Sequence, residues 1–381
     1  MDRREVLKKG AVLALGGSLL PSGLLSASPL PHLAADLQCA RPSLQNRKLG
    51  VALVGLGNYS TRQLAPALLE TEHCYLAGIV TGTPQKAKEW SDKYSIPEKN
   101  IYNYQTFDRL RDNPDIDIVY VVLPNFMHAE YSIRAFEAGK HVICEKPMGL
   151  DADECKRMLA ARDKAGKKLQ VGYRLYYQPD HLKAVEVGSK GRLGKTKMME
   201  SGLGFRMAVP GIWRLDKNKG GGGAIMDLGV YCIQSVRRFA GELPRSVSAQ
   251  GYNTNPDLFR GIYETVTFQL RYPSGAISNC TTSYNAYVDR FYAACEKGWL
   301  EINPSFNAGR VPDLKGSEEW TVDAPVSSYQ SMAQMDAFAL DIKNDRMVLA
   351  SGEEGLIDLQ IIDAVKQSMA RGKEVEIIYG R

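Results

Sequence analysis

Histidine and cysteine are scarce in this chain: five His and seven Cys in 381 residues, with no metal-ligand spacing and no Cys-x-x-Cys pair. That argues against a bound metal and against a dithiol redox centre. Long hydrophobic runs are missing as well. The most apolar stretch, residues 10–25, is interrupted by Gly16, Gly17, Pro21 and Gly23, and a spanning helix needs about 20 predominantly apolar residues. Stable membrane insertion is therefore not expected. Nor is there a large excess of charge, since the net value is +5, which gives no reason to expect nucleic acid as a partner. Internal repeats, low-complexity tracts and Gly/Ser-rich linkers are absent. The remaining picture is a two-domain globular protein, whose 44% hydrophobic content is enough to fill two cores.

The N-terminus reads separately from the rest. Asp2-Arg3-Arg4-Glu5-Val6-Leu7-Lys8 resembles a twin-arginine export signal, the route by which proteins leave the cytoplasm already folded. Arg3, Arg4, Lys8 and Lys9 less Asp2 and Glu5 contribute +2, so removal of the leader leaves 5 − 2 = +3. Cleavage is expected within residues 26–35, although no clean small-x-small site stands out and Cys39 lacks a lipidation box. An uncleaved anchor is the alternative. The chain then divides into a leader (1–28), a Pro-containing arm (29–47), a dinucleotide-binding domain (48–172) and a substrate and oligomerisation domain (173–381). The arm is either a linker without structure or a segment packed over a cofactor or a neighbouring subunit. A periplasmic location follows, and with it a demand: outside the cytoplasm there is no nicotinamide pool, so a cofactor has to travel with the folded enzyme.

Residues 48–54 (KLGVALV) read as a buried strand, followed by Gly55-Leu56-Gly57-Asn58-Tyr59-Ser60 and an apolar helical pattern through Leu64, Leu68 and Leu69. Strand, glycine turn and helix are the elements that bind a pyrophosphate, through backbone N–H groups and the helix dipole. Ser60 stands where the third glycine of that pattern falls. Apolar runs 75–80, 116–123 and 141–144 alternate with helical segments 84–94 and 128–138, which predicts a doubly wound parallel sheet. In such sheets ligands lie beyond the carboxyl ends of the strands. Leu123, Pro124, Asn125 and His128 follow one such end, and Glu145, Lys146 and Pro147 follow another. The second strand ends in Thr81-Gly82-Thr83-Pro84-Gln85-Lys86, with no acid to hold a ribose 2′-hydroxyl. Hydroxyls, Lys86 and Arg62 of the first helix favour NADP over NAD.

After Gly172 the pattern changes to short alternating runs, 264–272 (ETVTFQLRY), 276–284 and 291–295, then helices over 332–343 and 353–370 and a last strand near 374–378. The fold class is α/β: an N-terminal Rossmann sheet plus a C-terminal α+β domain with a large open, mostly antiparallel sheet. An open sheet of that kind predicts a homodimer or homotetramer. Between the two patterns lie Tyr173-Arg174, Tyr177, Trp213-Arg214, glycines 220–223, Asp227 and Tyr231. Asp227 and Tyr231 are four apart, which places them on one face of a helix. Oxidising an alcohol with a nicotinamide needs a base for the hydroxyl proton. Tyrosine, ordinarily near pKa 10, is suited to that task only beside a cation that favours phenolate, and Lys146 is the candidate. Asp227 would orient the sugar and hold the lysine. Arg174, Tyr177, Trp213 and Arg214 are candidate substrate or cofactor contacts, the guanidinium groups for hydroxyls and the indole for stacking on a sugar face.

These residues, Gly55-Leu56-Gly57-x-Tyr59, Glu145-Lys146-Pro147, Tyr173-Arg174, Trp213-Arg214 and Gly221-Gly222-Gly223-x-x-Met226-Asp227-x-Gly229-x-Tyr231, resemble the glucose-fructose oxidoreductase branch of the Gfo/Idh/MocA family. The resemblance covers nearly all of the chain after Lys48. It implies Lys146, Asp227 and Tyr231 as the catalytic set, oligomers built by pairing the open sheets, and a sugar as substrate. Most of the family carries histidine where this chain has Tyr231, and tyrosine marks the glucose-fructose branch. The implied reaction is oxidation of an aldose at C1 to a lactone, with bound NADPH then reoxidised by a second sugar. Three other readings stand beside it: an NADP sugar dehydrogenase with exchangeable cofactor, an NAD-dependent glycosidase, and a noncatalytic sugar or nucleotide sensor.

Overall fold

A computed structural model describes residues 46–207, 209–306, 312–320 and 329–380. The expected leader, and the expected arm up to residue 45, lie outside the described residues. From Arg47 onward the chain is pinned: its guanidinium donates to both carboxylate oxygens of Asp117 at 2.7 and 2.6 Å, and Asp117 also accepts from the Gly50 N–H at 2.9 Å.

The first half alternates as its hydrophobic pattern predicts. In order come β1 (Leu49–Val54), α1 (Ala65–Glu70), β2 (Cys74–Val80), α2 (Pro84–Tyr94), β3 (Ile101–Tyr102), β4 (Ile118–Val121), α3 (His128–Glu137), β5 (His141–Cys144), α4 (Ala152–Ala165) and β6 (Leu169–Val171). The strands form one sheet in the order β3-β2-β1-β4-β5-β6, parallel throughout. Strand order reverses between β1 and β4, so the helices leave on opposite faces and a crevice opens at the strand ends. Strands β1 and β4 are buried along their whole length, as parallel strands covered on both faces must be.

The second half contains α5 (Pro179–Ser189), β7 (Thr196–Gly204), α6 (Lys217–Gly220), α7 (Ala224–Asp227), α8 (Gly229–Ala240), β8 (Ser246–Tyr252), β9 (Thr265–Arg271), β10 (Ile277–Ser283), β11 (Val288–Cys295), β12 (Trp299–Ile302), β13 (Leu314–Gly316), α9 (Tyr329–Lys343), α10 (Gly352–Arg371) and β14 (Val375–Glu376). Its eight-stranded sheet runs β13-β12-β11-β7-β10-β9-β8-β14. Only the β7–β10 pair is parallel. Alternation in β9 buries Val266, Phe268 and Leu270, each contributing about 1.5–3 kcal/mol when fully removed from water. The intervening residues point to the opposite face, where Thr265 and Gln269 are partly exposed and Thr267 and Arg271 exposed. Helix α9 returns to the first sheet, where Met335, Phe338, Ala339 and Ile342 pack with β1, β2 and β4 residues. Asp336 on that helix accepts from the Glu72 and His73 N–H groups at 2.9 and 2.7 Å.

Two local expectations differ from the structure. Leu69 continues the apolar pattern of the first helix, yet it is 70% exposed. The chain enters that helix through a π-helical turn, Ser60–Leu64, which rotates the later residues away from a regular 3.6 repeat. Asp227 and Tyr231 do not share one continuous helix, because Leu228 (φ −107, ψ −31) separates α7 from α8.

Burial of histidine makes the fold acid-sensitive. His128, His141 and His181 are each pushed down to about 4, first by burial. A depressed folded-state pKa contributes stability above the unfolded value of 6.5, and that stability is lost as pH falls toward 4. Each ring accounts for on the order of 3 kcal/mol at most. Urea unfolding between pH 7 and 4.5 is expected to show the midpoint falling steeply, and a flat profile would contradict the buried neutral rings.

Candidate active site

Beyond the carboxyl ends of β1, β2, β4 and β5 lies a cleft of about 940 Å³, whose far wall is built from the second half of the chain. Its floor is the glycine turn. Gly55 has φ +92, and a Cβ there would stand 2.5 Å from the Val122 carbonyl oxygen, so only glycine fits between β1 and β4. Gly57 is the opposite case. Nothing lies within 4 Å of where its Cβ would be, which leaves a free concavity at the start of the first helix, suited to a pyrophosphate. Lys86 reaches across from α2 and donates to the Leu56 carbonyl at 3.1 Å. With Thr81, Gly82 and Thr83 it lines the end of the cleft by β2.

At the other end Lys146 follows β5. Its ammonium donates to the Asp227 carboxylate at 2.7 Å and to the Asp227 carbonyl at 2.9 Å, and it lies 5.1 Å from the centre of the Tyr231 ring. Burial pushes the lysine pKa down, but the facing Asp227 and Tyr231 outweigh it and hold it above its ordinary value. Burial likewise works against an ionised Asp227, and Lys146 and Arg214 overcome it, bringing the carboxyl down to about 2. The pair is therefore charged at any physiological pH. Arg214 donates to the second Asp227 oxygen at 3.2 Å and stacks on Trp213, 4.4 Å from guanidinium carbon to ring centre. Arg174 covers Tyr231 from another side, 5.4 Å from its ring centre, and is held by the Gln330 side chain and the Phe306 carbonyl. The structure thus brings two cations to one tyrosine ring.

Glu145 is buried in the same wall, where its Oε1 accepts from the Tyr120 hydroxyl at 2.7 Å and burial pushes its carboxyl up. Asn125 donates to the Gly220 carbonyl at 2.9 Å, which ties a Rossmann strand end to the glycine run. Asn58, Tyr59, Leu123 and Pro124 complete the near wall.

Four of the expected contacts lie off the cleft wall. Ser60 is buried under the turn, its hydroxyl donating to the Gly55 carbonyl at 2.6 Å; it braces the turn from behind in place of a glycine. Arg62 is exposed, on the π-helical turn that leads into α1. His128 is fully buried, its ring nitrogens 2.8 Å from the Pro147 and Leu123 carbonyls, so it clamps the two strand-end loops together. Burial keeps that ring neutral, and a neutral ring donates to one of the two carbonyls only. Tyr177 is buried and donates to Gln170 at 2.8 Å, whereas Arg174, at the start of the same short 3₁₀ turn, lines the cleft.

Sequence reasoning missed several wall residues. Tyr284 donates to the Asp227 carboxylate at 3.1 Å, and Asp289, Phe306, Phe205, Met207 and Tyr104 line the cleft. Tyr284 and Asp289 flank the turn between β10 and β11, and a junction of two strands was the available signal.

Comparison with known proteins agrees with this architecture. Residues 49–173 match the oxidoreductase family, NAD-binding Rossmann fold; residues 181–301 match the GFO/IDH/MocA C-terminal domain; residues 311–377 match the oxidoreductase family, C-terminal alpha/beta domain. The chain belongs to the Gfo/Idh/MocA oxidoreductase family. Among solved structures it is similar to an aldose-aldose oxidoreductase from Caulobacter crescentus, complexed with glycerol, at 38% identity and TM-score 0.83, over 87% of this chain and 100% of that one. A D-xylose 1-dehydrogenase [NADP(+)] of Haloarcula marismortui is 27% identical over 83% of this chain and 90% of its own length. A levoglucosan dehydrogenase in complex with NADH, 21% identical with TM-score 0.75 over 88% of this chain and all of that one, shares the fold.

For this Gfo/Idh/MocA oxidoreductase the free space at Gly57 has a measurable consequence. Gly57→Ala is expected to leave thermal stability unchanged, since the new methyl meets no protein atom, while weakening dinucleotide binding at least tenfold, about 1.4 kcal/mol. Equal affinity in a binding titration would place the pyrophosphate elsewhere.

Proposed function

We propose that this chain oxidises an aldose at C1 to its lactone with NADP held in the cleft, and that a second sugar takes the hydride back. The observation that carries this reading is the contact of Lys146, Asp227 and Tyr231 at one end of a cleft whose other end is a glycine turn. The D-xylose 1-dehydrogenase [NADP(+)] relatives support NADP and an aldose. The name of the Caulobacter enzyme, an aldose-aldose oxidoreductase, supports a sugar on both sides of the cycle.

The residues present fit the dinucleotide: the open space at Gly57 would take the pyrophosphate, Thr81, Thr83 and Lys86 would hold a 2′-phosphate, and Pro124, Asn125 and Glu145, which line the same cleft as Lys146, would hold the nicotinamide. When bound, the nicotinamide supplies the two-electron acceptor and donor. Every other part of the reaction falls to the protein. Tyr231 takes the O1 proton as hydride leaves C1, so two electrons and two protons' worth of hydrogen leave the aldose together. Lys146 places its positive charge against the Tyr231 ring, and Asp227 fixes the lysine while its second oxygen is held by Arg214 and Tyr284. In the return half-reaction the same Tyr231 proton goes to the carbonyl oxygen of the second sugar as its carbon gains hydride. The cycle leaves the protein unchanged and consumes no free nucleotide.

That economy suits the twin-arginine-like leader, and we place the enzyme in the periplasm, exported folded with its cofactor inside. The face of the eight-stranded sheet that carries Thr267 and Arg271 is the surface on which we expect a homodimer or homotetramer to form. The xylose dehydrogenase relatives favour one other reading, an enzyme that exchanges NADP with solvent each turnover. One experiment separates them: purified, exhaustively dialysed protein is denatured and the released nucleotide identified by mass spectrometry. NADP near one per chain is expected; an empty protein means an exchanging dehydrogenase, and NAD overturns the cofactor assignment.

A further inference from the structure

Two large aromatic side chains on the cleft wall stand partly in water: Tyr287, 64% exposed, and Phe205, 37% exposed. A single exposed aromatic is ordinary on a protein surface. These two are brought together by the sheet. Strand β11 runs antiparallel to β7 with Asp289 opposite Leu203 and Val288 opposite Gly204, and one further step in that register sets Tyr287 against Phe205. Side chains alternate along a strand, so Leu203, Phe205, Tyr287 and Asp289 share one face, and all four line the cleft. The turn that carries Tyr287 is pinned. The Ser283 hydroxyl accepts from the Asn285 and Ala286 N–H groups at 3.0 and 2.9 Å, while the Phe205 and Met207 N–H groups donate to the Ser283 and Tyr284 carbonyls at 3.1 and 3.0 Å. The same turn touches the reacting groups on both sides. Tyr284 donates to the Asp227 carboxylate at 3.1 Å; Asp289 accepts from the Phe306 N–H at 2.7 Å, and the Phe306 ring lies 6.2 Å from that of Tyr231. Tyr287 is two strand residues beyond Asp289, roughly 6–7 Å further along the wall.

We infer that Tyr287 and Phe205 form a subsite for a glycosyl unit linked to the aldose that reacts, which makes the substrate the reducing end of a disaccharide or longer chain. This rests on the proposed function. Oxidation at C1 requires a free anomeric hydroxyl, so a further unit can be joined only through another hydroxyl of the reacting ring. With C1 at Tyr231, that unit meets the next stretch of wall. A pyranose presents C–H groups on its faces and hydroxyls around its edge. An aromatic face suits the first and a tyrosine hydroxyl in water the second. A stiff ring on a pinned turn also loses little freedom when a ligand covers it. A nucleotide base stacks on aromatic rings too, and the experiment separates the two occupants.

Purified holoenzyme and its Tyr287→Ala and Tyr287→Phe variants are assayed with D-glucose, maltose and cellobiose, and with D-xylose and xylobiose. The readout is the ratio of kcat/KM for each disaccharide to that for its monosaccharide. In the wild type at least one ratio is expected to reach about fivefold, the scale of one aromatic contact. Tyr287→Ala should abolish that advantage, and Tyr287→Phe should keep it, since the ring remains. A wild-type ratio short of that size in every pair overturns the inference. So does an Ala variant that slows both sugars by one common factor and leaves the ratio intact, as a purely structural role would, or a Phe variant that loses the advantage as Ala does. Loss of NADP from the Ala variant, read as nucleotide per chain after dialysis, assigns the ring to the nucleotide and overturns it as well. If Tyr287→Ala fails to fold, as judged by its melting curve, Phe205→Ala on the facing strand supplies the same comparison. Turnover of monosaccharides without a disaccharide advantage removes this inference alone; no turnover of any aldose removes the proposed function and this inference with it.

Discussion

Lys146→Ala is expected to lower hydride transfer by at least about 10³-fold, equivalent to about 4 kcal/mol at the barrier, while dinucleotide still binds at the glycine turn. Three consequences converge on that one side chain. The ammonium that faces the Tyr231 ring disappears, so proton removal loses its electrostatic support. Asp227 loses the partner at 2.7 Å and keeps only Arg214 at 3.2 Å and Tyr284 at 3.1 Å. Breaking a buried pair on one side typically costs about 3–5 kcal/mol, because the remaining charge stays buried. The variant should therefore melt lower as well as react more slowly. Single-turnover absorbance of the bound nucleotide isolates the chemical step from folding, provided the fraction folded is measured alongside. A loss under tenfold in folded protein would remove Lys146 from the chemistry and would favour the noncatalytic sensor.

Tyr231→Phe is the cleaner experiment. Only the hydroxyl is deleted, and the ring keeps its neighbours: Lys146 at 5.1 Å, Arg174 at 5.4 Å and Phe306 at 6.2 Å. Thermal stability should barely move. Loss of a positioned general base is worth about 10²- to 10⁴-fold, and both half-reactions should slow together, since one group takes the proton and returns it. Measuring reduction and reoxidation of the bound cofactor separately checks the pairing. Full rate in either half would mean that another group, or water, handles that proton.

Much of the fold was legible because its determinants are local. A continuous apolar run bounded by turn residues reports a strand buried on both faces, and β5 at His141–Cys144 and α2 at Pro84–Tyr94 coincide with the stretches read from the pattern. The site was legible where residues follow strand ends, as Gly55, Asn125 and Lys146 do, since the topology of a doubly wound sheet gathers those ends by rule. It failed where a side chain had two directions open to it. Tyr177 is three residues from Arg174, yet its hydroxyl finds its partner in the core, Gln170. His128 follows a strand end like Asn125, but its ring is taken by two carbonyls. No pattern of polarity distinguishes a histidine that clamps two loops from one that touches a ligand.

By itself the sequence determined the parallel sheet, the glycine turn, the preference for NADP from a second strand end without an acid, and the identity of Lys146, Asp227 and Tyr231 as candidates. Periodicity and turn chemistry act over a few residues, so they survive in one dimension. Tertiary structure decided which residues close the far wall. Tyr284 reaches Asp227 from 57 positions away and Phe306 reaches Arg174 from 132, meetings fixed only by packing the eight-stranded sheet against α8.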